Sequence, residues 1–196
     1  MTLNEFKTFW ESNYGDCPMI GYVLRETFLN RWFRIHSLPE SRRYPENDKQ
    51  WDLLLERHNQ VITDIFGIDA EIILVTGSHD MNDGPIFVKE DENLFKPYNF
   101  IKTDNVDLYK LDPANYNNGQ IFKPAFTKLV WNSGEYNPIL AAVAEDKTRF
   151  LFISKDKNAI IAPYDGGIDF IMKDIETKDF YKEKYKAWLP QTESGL

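Results

Sequence analysis

The stretch that decides the fold is Ala125–Met172, AFTKLVWNSGEYNPILAAVAEDKTRFLFISKDKNAIIAPYDGGIDFIM. It breaks into apolar runs of strand length: Ala125–Trp131, Ile139–Glu145, Arg149–Ser154, Asn158–Pro163 and Gly167–Met172. Turn signals separate them, namely Asn132-Ser133-Gly134, Asp146-Lys147, Lys155-Asp156-Lys157 and Asp165-Gly166-Gly167. Connections this short force neighbouring strands to run antiparallel, so the region reads as a meander. Phe150, Leu151, Phe152 and Ile153 are apolar on both faces of their strand. That strand is expected to lie centrally, with cover on both sides.

Working outward, Thr177–Leu189 carries Phe180, Tyr181, Tyr185 and Trp188 on one face and reads as a helix capped by Thr177 and ended by Pro190. Upstream, Asn47–Phe66 is the strongest helix. Asn47 or Asp48 caps it, and Trp51, Leu54, Leu55, His58, Ile62 and Ile65 recur at three- and four-residue steps. Gly67 closes it, Ala70–Val75 follows as a buried strand, and Thr76–Gly84 reads as a polar loop. Leu3–Tyr14 is a first helix ended by Gly15, and Leu24–Trp32 a short helix or irregular turn. Phe33–Leu38 alternates as a strand, with Phe33, Ile35 and Ser37 on one side and Arg34, His36 and Leu38 on the other, before Pro39. Residues 85–124 are rich in Asp, Asn, Pro and Tyr, with short apolar pieces such as Ile86–Val88. They read as a loop-rich insertion with one or two short strands.

The expected class is α+β: an antiparallel meander sheet of about five or six strands with helices packed on it. One domain over residues 1–196 is expected, with 191–196 as a tail. An apolar share of 42% supports a core that needs no disulfide or metal. Cys17 is the single cysteine, which excludes an intrachain disulfide and suits a reducing compartment. Met1–Trp10 mixes apolar and charged residues, and no run has the length of a membrane span. A cytoplasmic location with no membrane contact is therefore expected.

Net charge is −8, which argues against nucleic-acid binding through phosphate neutralisation. Six of the seven arginines lie between Arg25 and Arg57. That window holds seven basic and six acidic residues, a local balance of +1, and the remainder carries −9. No HExxH or CxxC occurs, and His36, His58 and His79 are far apart, so no metal site is expected. His58, on the apolar helix face, reads as a core histidine. No GxSxG, GxxxxGK[ST] or GxGxxG is present, and nothing near Cys17 would activate its thiol, so neither a catalytic residue nor a cofactor is assigned. Thr76-Gly77-Ser78-His79 reads either as a polar turn or as an amide cradle for an anion. Asp165 and Asp169 are placed in a turn and on a solvated face.

The candidate binding residues are Arg31, Trp32, Arg34, His36, Arg42, Arg43 and Tyr44. Guanidinium groups grip carboxylates and phosphates bidentately and stack on rings. The competing reading is that these arginines pair with Glu40, Glu46, Asp48 and Asp52 and lock the segment to the long helix.

The segment RWFRIHSLPESRRYP (Arg31–Pro45), with Glu56-Arg57-His58-Asn59 in the helix beyond and APYDGGIDFI at Ala162–Ile171, resembles a bacterial family catalogued as a domain of unknown function. Some small acidic bacterial domains of such families are suspected immunity or accessory proteins, so by analogy alone the resemblance implies a binding role. Two functions are therefore carried forward. One is a protein-binding module of immunity or accessory type, not an enzyme, masking a basic partner by charge complementarity. The other is an enzyme or small-ligand binder acting on an anionic substrate through Arg31–Pro45, with Arg34, His36 and Arg42 converging on one pocket and His36 or His79 as acid or base.

Overall fold

The computed structural model describes residues 1–81 and 92–192. Along the chain come α1 (Leu3–Tyr14), α2 (Gly21–Thr27), β1 (Trp32–His36), α3 (Asp48–Phe66), β2 (Glu71–Asp80), the single turn α4 (Glu92–Phe95), β3 (Ile101–Lys102), β4 (Val106–Asp107), α5 (Leu108–Leu111), β5 (Ile121–Val130), α6 (Asn137–Ala144), β6 (Phe150–Ser154), β7 (Ala159–Tyr164), β8 (Gly167–Ile171) and α7 (Ile175–Lys184). The strands form one sheet in the order β1-β8-β7-β6-β2-β5-β3, with β4 also paired to β5. Every pairing among the described residues is antiparallel. The class is α+β as expected, with eight strands rather than five or six.

Local chemistry sets the element ends. The Thr2 hydroxyl accepts from the Glu5 amide while the Glu5 carboxylate accepts from the Thr2 amide, a capping box on α1. Asn47 Oδ1 accepts from the Gln50 amide to cap α3, and Gly67 ends it at φ 101°. Asp174 caps α7 by accepting from the Thr177 amide; Thr177, the expected cap, sits inside the first turn. The expected Leu24–Trp32 helix resolves into α2 and a 3-10 turn at Leu29–Arg31. The β7–β8 hairpin turns on two residues, Asp165 and Gly166. A side chain at Gly167 would collide with the Ile35 carbonyl, so β1 can lie against β8 only because that position is glycine.

Two expectations fail. Ile139–Glu145 is not a strand but most of α6. Pro138 fits the first helical turn, Ala141, Ala142 and Ala144 favour helix, and Ile139, Leu140 and Val143 bury one face. Because α6 carries the chain off the sheet, β5 and β6 are not neighbours. β2 lies between them, joined to β5 over ten residues and to β6 over four. The meander is therefore β6-β7-β8 alone. Second, Thr76–Asp80 is not loop; β2 continues through it, held by β5 from Thr76↔Ala125 to Asp80↔Ile121. The remainder of the expected loop after Met81, and Ile86–Val88, lie outside the described residues.

Alternation along the strands divides the core in two. Phe33, Ile35, Ile72, Leu74, Phe152, Ile161 and Phe170 face α3 and α6. Ile73, Val75, Phe126, Leu151, Ile153, Ile160, Ala162 and Ile171 face α1, Cys17 and Leu24 of α2. α3 buries Leu54, His58, Ile62 and Ile65, the face its periodicity marks. No helix among the described residues is long and apolar enough to cross a membrane.

Candidate functional site

On the α1/α2 side, α1 covers the β5–β6–β7 region with Phe6, Phe9, Trp10 and Tyr14. α2 is only seven residues long and leaves the far end of the sheet incompletely covered. A cavity of about 300 Å³ remains there. Its walls come from residues 19–22 and 25, from β2, β6, β7 and β8, and from Arg34, Tyr116 and Phe122.

Strand register explains how the polar walls meet. Arg34 of β1 lies opposite Asp169 of β8, which lies opposite Ala162 of β7. Leu151 of β6 lies opposite Val75 of β2. Further along the same face stand Tyr164 on β7, Gly77 on β2 and His79, opposite Phe122. Gly77 has no room for a side chain, since a Cβ there would strike the Phe122 ring and come 2.8 Å from the Lys123 carbonyl.

Arg34 donates from Nε and Nη2 to the two oxygens of Asp169 at 2.7 and 2.8 Å, and Trp32 Nε1 donates to the same carboxylate at 2.9 Å. The side-on fork leaves Nη1 of Arg34 uncommitted. Burial alone would lower the Arg34 pKa; the hydrogen bonds and charge of Asp169 outweigh it and raise it. The guanidinium lies 4.4 Å over the Tyr164 ring. Burial pushes the Tyr164 hydroxyl up to about 12 against the pull of Arg34, so it remains a neutral donor. It has no hydrogen-bond partner among the described residues. Arg25 has only the exposed neighbouring carboxylate of Glu26, at 3.6 Å. Arg149 is paired with Asp146.

At the other end Tyr22 Oη donates to Tyr116 Oη at 3.2 Å, joining α2 to the chain before β5. The His79 ring lies within 5° of parallel to Tyr116, with centroids 6.5 Å apart, and 5.0 Å from Phe122. Burial, then the charge of Arg149, lowers the His79 pKa, so its ring is neutral near pH 7. The cavity thus has an apolar body, a flat aromatic end and a cationic corner. No cluster suited to a metal ion occurs among the described residues.

The seven candidate binding residues do not form one site. Arg34 alone lines the cavity. Trp32 supports it through Asp169. Arg31 donates to the Lys173 carbonyl and sits 4.5 Å over the Phe28 ring. His36 lines a separate hollow of about 160 Å³ with Arg57 and Trp188. Arg42 is spent on Glu40 and Glu46 at the surface. Arg43 and Tyr44 converge on Asp165 in the hairpin turn, Tyr44 Oη donating at 2.9 Å. Arg34, His36 and Arg42 therefore diverge. The arginines brace the fold, but against β8 and its turn rather than only against the acids of the long helix. Asp169 and Asp165 are correspondingly not solvated: they are 7% and 2% exposed.

His58 is a fully buried core residue sharing a 2.7 Å hydrogen bond with Ser37 Oγ, and burial lowers its pKa to about 3. Cys17 is buried, and desolvation raises its thiol pKa, the reverse of activation. Sequence reasoning missed Tyr22, Arg25, Arg149, Tyr164 and the cavity role of Asp169. The available signal was β-alternation across the hairpin, which puts Ala162, Tyr164 and Asp169 on one face.

No curated protein and no solved structure matches this chain. A family model described as a domain of unknown function, DUF3885, matches residues 20–193, a span that contains every cavity-lining residue except Met19, and the chain belongs to that family.

Proposed function

We propose that this domain binds a small molecule in the cavity between α2 and the sheet. The observation that carries this reading is an apolar cavity of about 300 Å³ edged by Arg25, Arg34 and Tyr164 in a chain whose net charge is −8. Such a volume lies at the lower end of the roughly 300–1,000 Å³ typical of ligand sites, so it suits a compact metabolite and not a dinucleotide. Binding is favoured over catalysis because Asp169 is committed to Arg34 and Trp32, and neutral His79 packs against rings. The experiment is a thermal-shift screen of compact organic anions and neutral molecules on the full chain and on Ala162→Leu, whose side chain would occupy the cavity. Compounds that stabilise the parent and not the variant support the reading, since a ligand at 100 times its Kd adds about 2.7 kcal/mol. Equal responses from both proteins across the screen would sink it.

A second reading, a protein-binding module, is favoured by Leu29, Ile175 and Phe180, which expose large apolar side chains at 64%, 50% and 64%. Leu29 and Ile175 belong to segments that pack together. Capture experiments comparing the parent with Phe180→Ser test it; a partner retained equally by both would count against this surface. On cysteine usage we place the domain in the cytoplasm, and fractionation of cells producing it checks that.

A further inference from the structure

The cationic corner and the flat end of the cavity together say what kind of molecule fits. We infer that the ligand is a planar, singly charged anion of the aromatic-carboxylate class. Its charged group is held by Arg25, Nη1 of Arg34 and the Tyr164 hydroxyl, and its ring system lies toward His79, Tyr116 and Phe122. This inference rests on the reading of the cavity as a ligand site.

Three observations carry it. First, the donors keep hydrogen-bonding capacity to spare. Arg34 uses Nε and Nη2 on Asp169 and keeps Nη1, Tyr164 Oη has no partner among the described residues, and Arg25 has only an exposed carboxylate at 3.6 Å. Second, these groups converge. Arg34 stacks at 4.4 Å on Tyr164, and Arg25, Arg34 and Tyr164 line the same cavity. Arg34 is paired with Asp169 and Arg149 with Asp146, so Arg25, whose neighbouring Glu26 carboxylate is exposed and lies 3.6 Å away, is the remaining cation at this corner among the described residues and suits one carboxylate better than a dianion. A carboxylate accepts from planar guanidinium and phenol donors in one plane. Third, the opposite end offers ring faces: His79 and Tyr116 are parallel within 5°, and Phe122 packs on His79. Aromatic surfaces of this kind favour a flat partner in offset or edge contact.

The test uses two probes of nearly the same shape, anionic 2-naphthoate and neutral 2-naphthamide, titrated into the full chain by calorimetry. The inference expects 2-naphthoate to bind at least about tenfold more tightly, as charge-assisted hydrogen bonds exceed neutral ones. It also expects Arg25→Gln and Tyr164→Phe each to remove most of that preference, weakening 2-naphthoate by a larger factor than the amide. Arg25 is partly exposed on α2 with no hydrogen bond to the sheet among the described residues, and Tyr164→Phe keeps the ring, so both variants are expected to fold, and circular dichroism checks it. Equal binding of the two probes overturns the anion assignment and leaves the cavity reading intact. Failure of both probes at millimolar concentration overturns the aromatic assignment, while the cavity reading stands or falls with the Ala162→Leu screen. A preference for naphthoate that survives both substitutions overturns the assigned corner.

Discussion

The two faces of the sheet are covered unequally. On one face α3 and α6, of 19 and eight residues, lie over Phe33, Ile35, Leu74, Phe152, Ile161 and Phe170, each 2% exposed or less. On the other, α1 and α2, of 12 and seven residues, cover Phe126, Ile153 and Ile160 but stop short of the end where Arg34, Asp169, Tyr164 and His79 stand. The strands are the same and only the length of the roof differs. A dry core forms where helix length matches the strands. Where the roof ends, the inward-facing positions carry Arg, Asp, Tyr and His, which are tolerable there because they pair with one another or reach the cavity.

The largest expected effect breaks this comparison directly. Phe152 and Leu151 are sequence neighbours on β6 that point to opposite faces. Phe152→Ala would leave a void in the dry face and is expected to cost about 4 kcal/mol. Leu151→Ala only enlarges an existing cavity and is expected to cost about 2 kcal/mol, the low end for such truncations. Urea denaturation measures both; equal losses would mean the two faces are packed alike.

Next is the paired charge at the cavity wall. The Arg34 and Asp169 side chains are 9% and 10% exposed. Asp169→Asn would strand the guanidinium in a poorly hydrated site, at a cost of about 3 kcal/mol. Replacing both residues with apolar ones, Arg34→Met with Asp169→Leu, is expected to recover much of that loss while abolishing anion binding, which separates structural from binding roles by equilibrium unfolding and titration.

The dry face has its own signature in pH. His58 is buried and its folded pKa, about 3, lies below the ordinary histidine value. A base depressed on folding stays neutral in the native state while the unfolded chain takes up its proton. Its stabilising contribution is therefore complete above about pH 6.5 and falls as pH drops, by about 1.4 kcal/mol per unit, toward the folded pKa. His36 and His79, also lowered, add in the same direction. Stability measured from pH 6.5 to 4.5 is expected to fall with this slope, and His58→Gln to flatten it. An unchanged slope in that variant would show that His58 does not govern the window.

These contrasts also explain which parts were legible beforehand. α1, α3 and the β6-β7-β8 meander follow from local rules: capping residues, three- and four-residue spacing, and short turns between apolar runs. α6 reads as a strand from sequence because an eight-residue apolar segment has little periodicity; the decisive propensity lies in Pro138 and three alanines. The place of β2 between β5 and β6 is a pairing between residues 41 to 80 positions apart, which no local signal encodes. The cavity was illegible for the same reason. It needs Arg25, Arg34, Arg149 and Tyr164 brought together from α2, β1, the residue before β6, and β7, whereas adjacency in sequence points to Arg31–Pro45, whose side chains the β8 hairpin pulls to separate places.

The smallest effect is the sharpest discriminator. Ala159 and Ala162 lie on one strand, β7, facing the dry side and the cavity side respectively. Adding three carbons at Ala159, which is fully buried, forces neighbouring side chains off their rotamers, and Ala159→Leu is expected to lose about 2–3 kcal/mol. At Ala162 the same atoms enter open space between Leu151 and α2, so the burial gained offsets residual strain and Ala162→Leu is expected to change stability by less than about 1 kcal/mol. That near-silence matters, because the variant then tests occupancy without disturbing the fold. A large loss at Ala162 would mean the space is already filled by packing, and with it would go the physical basis for a ligand there.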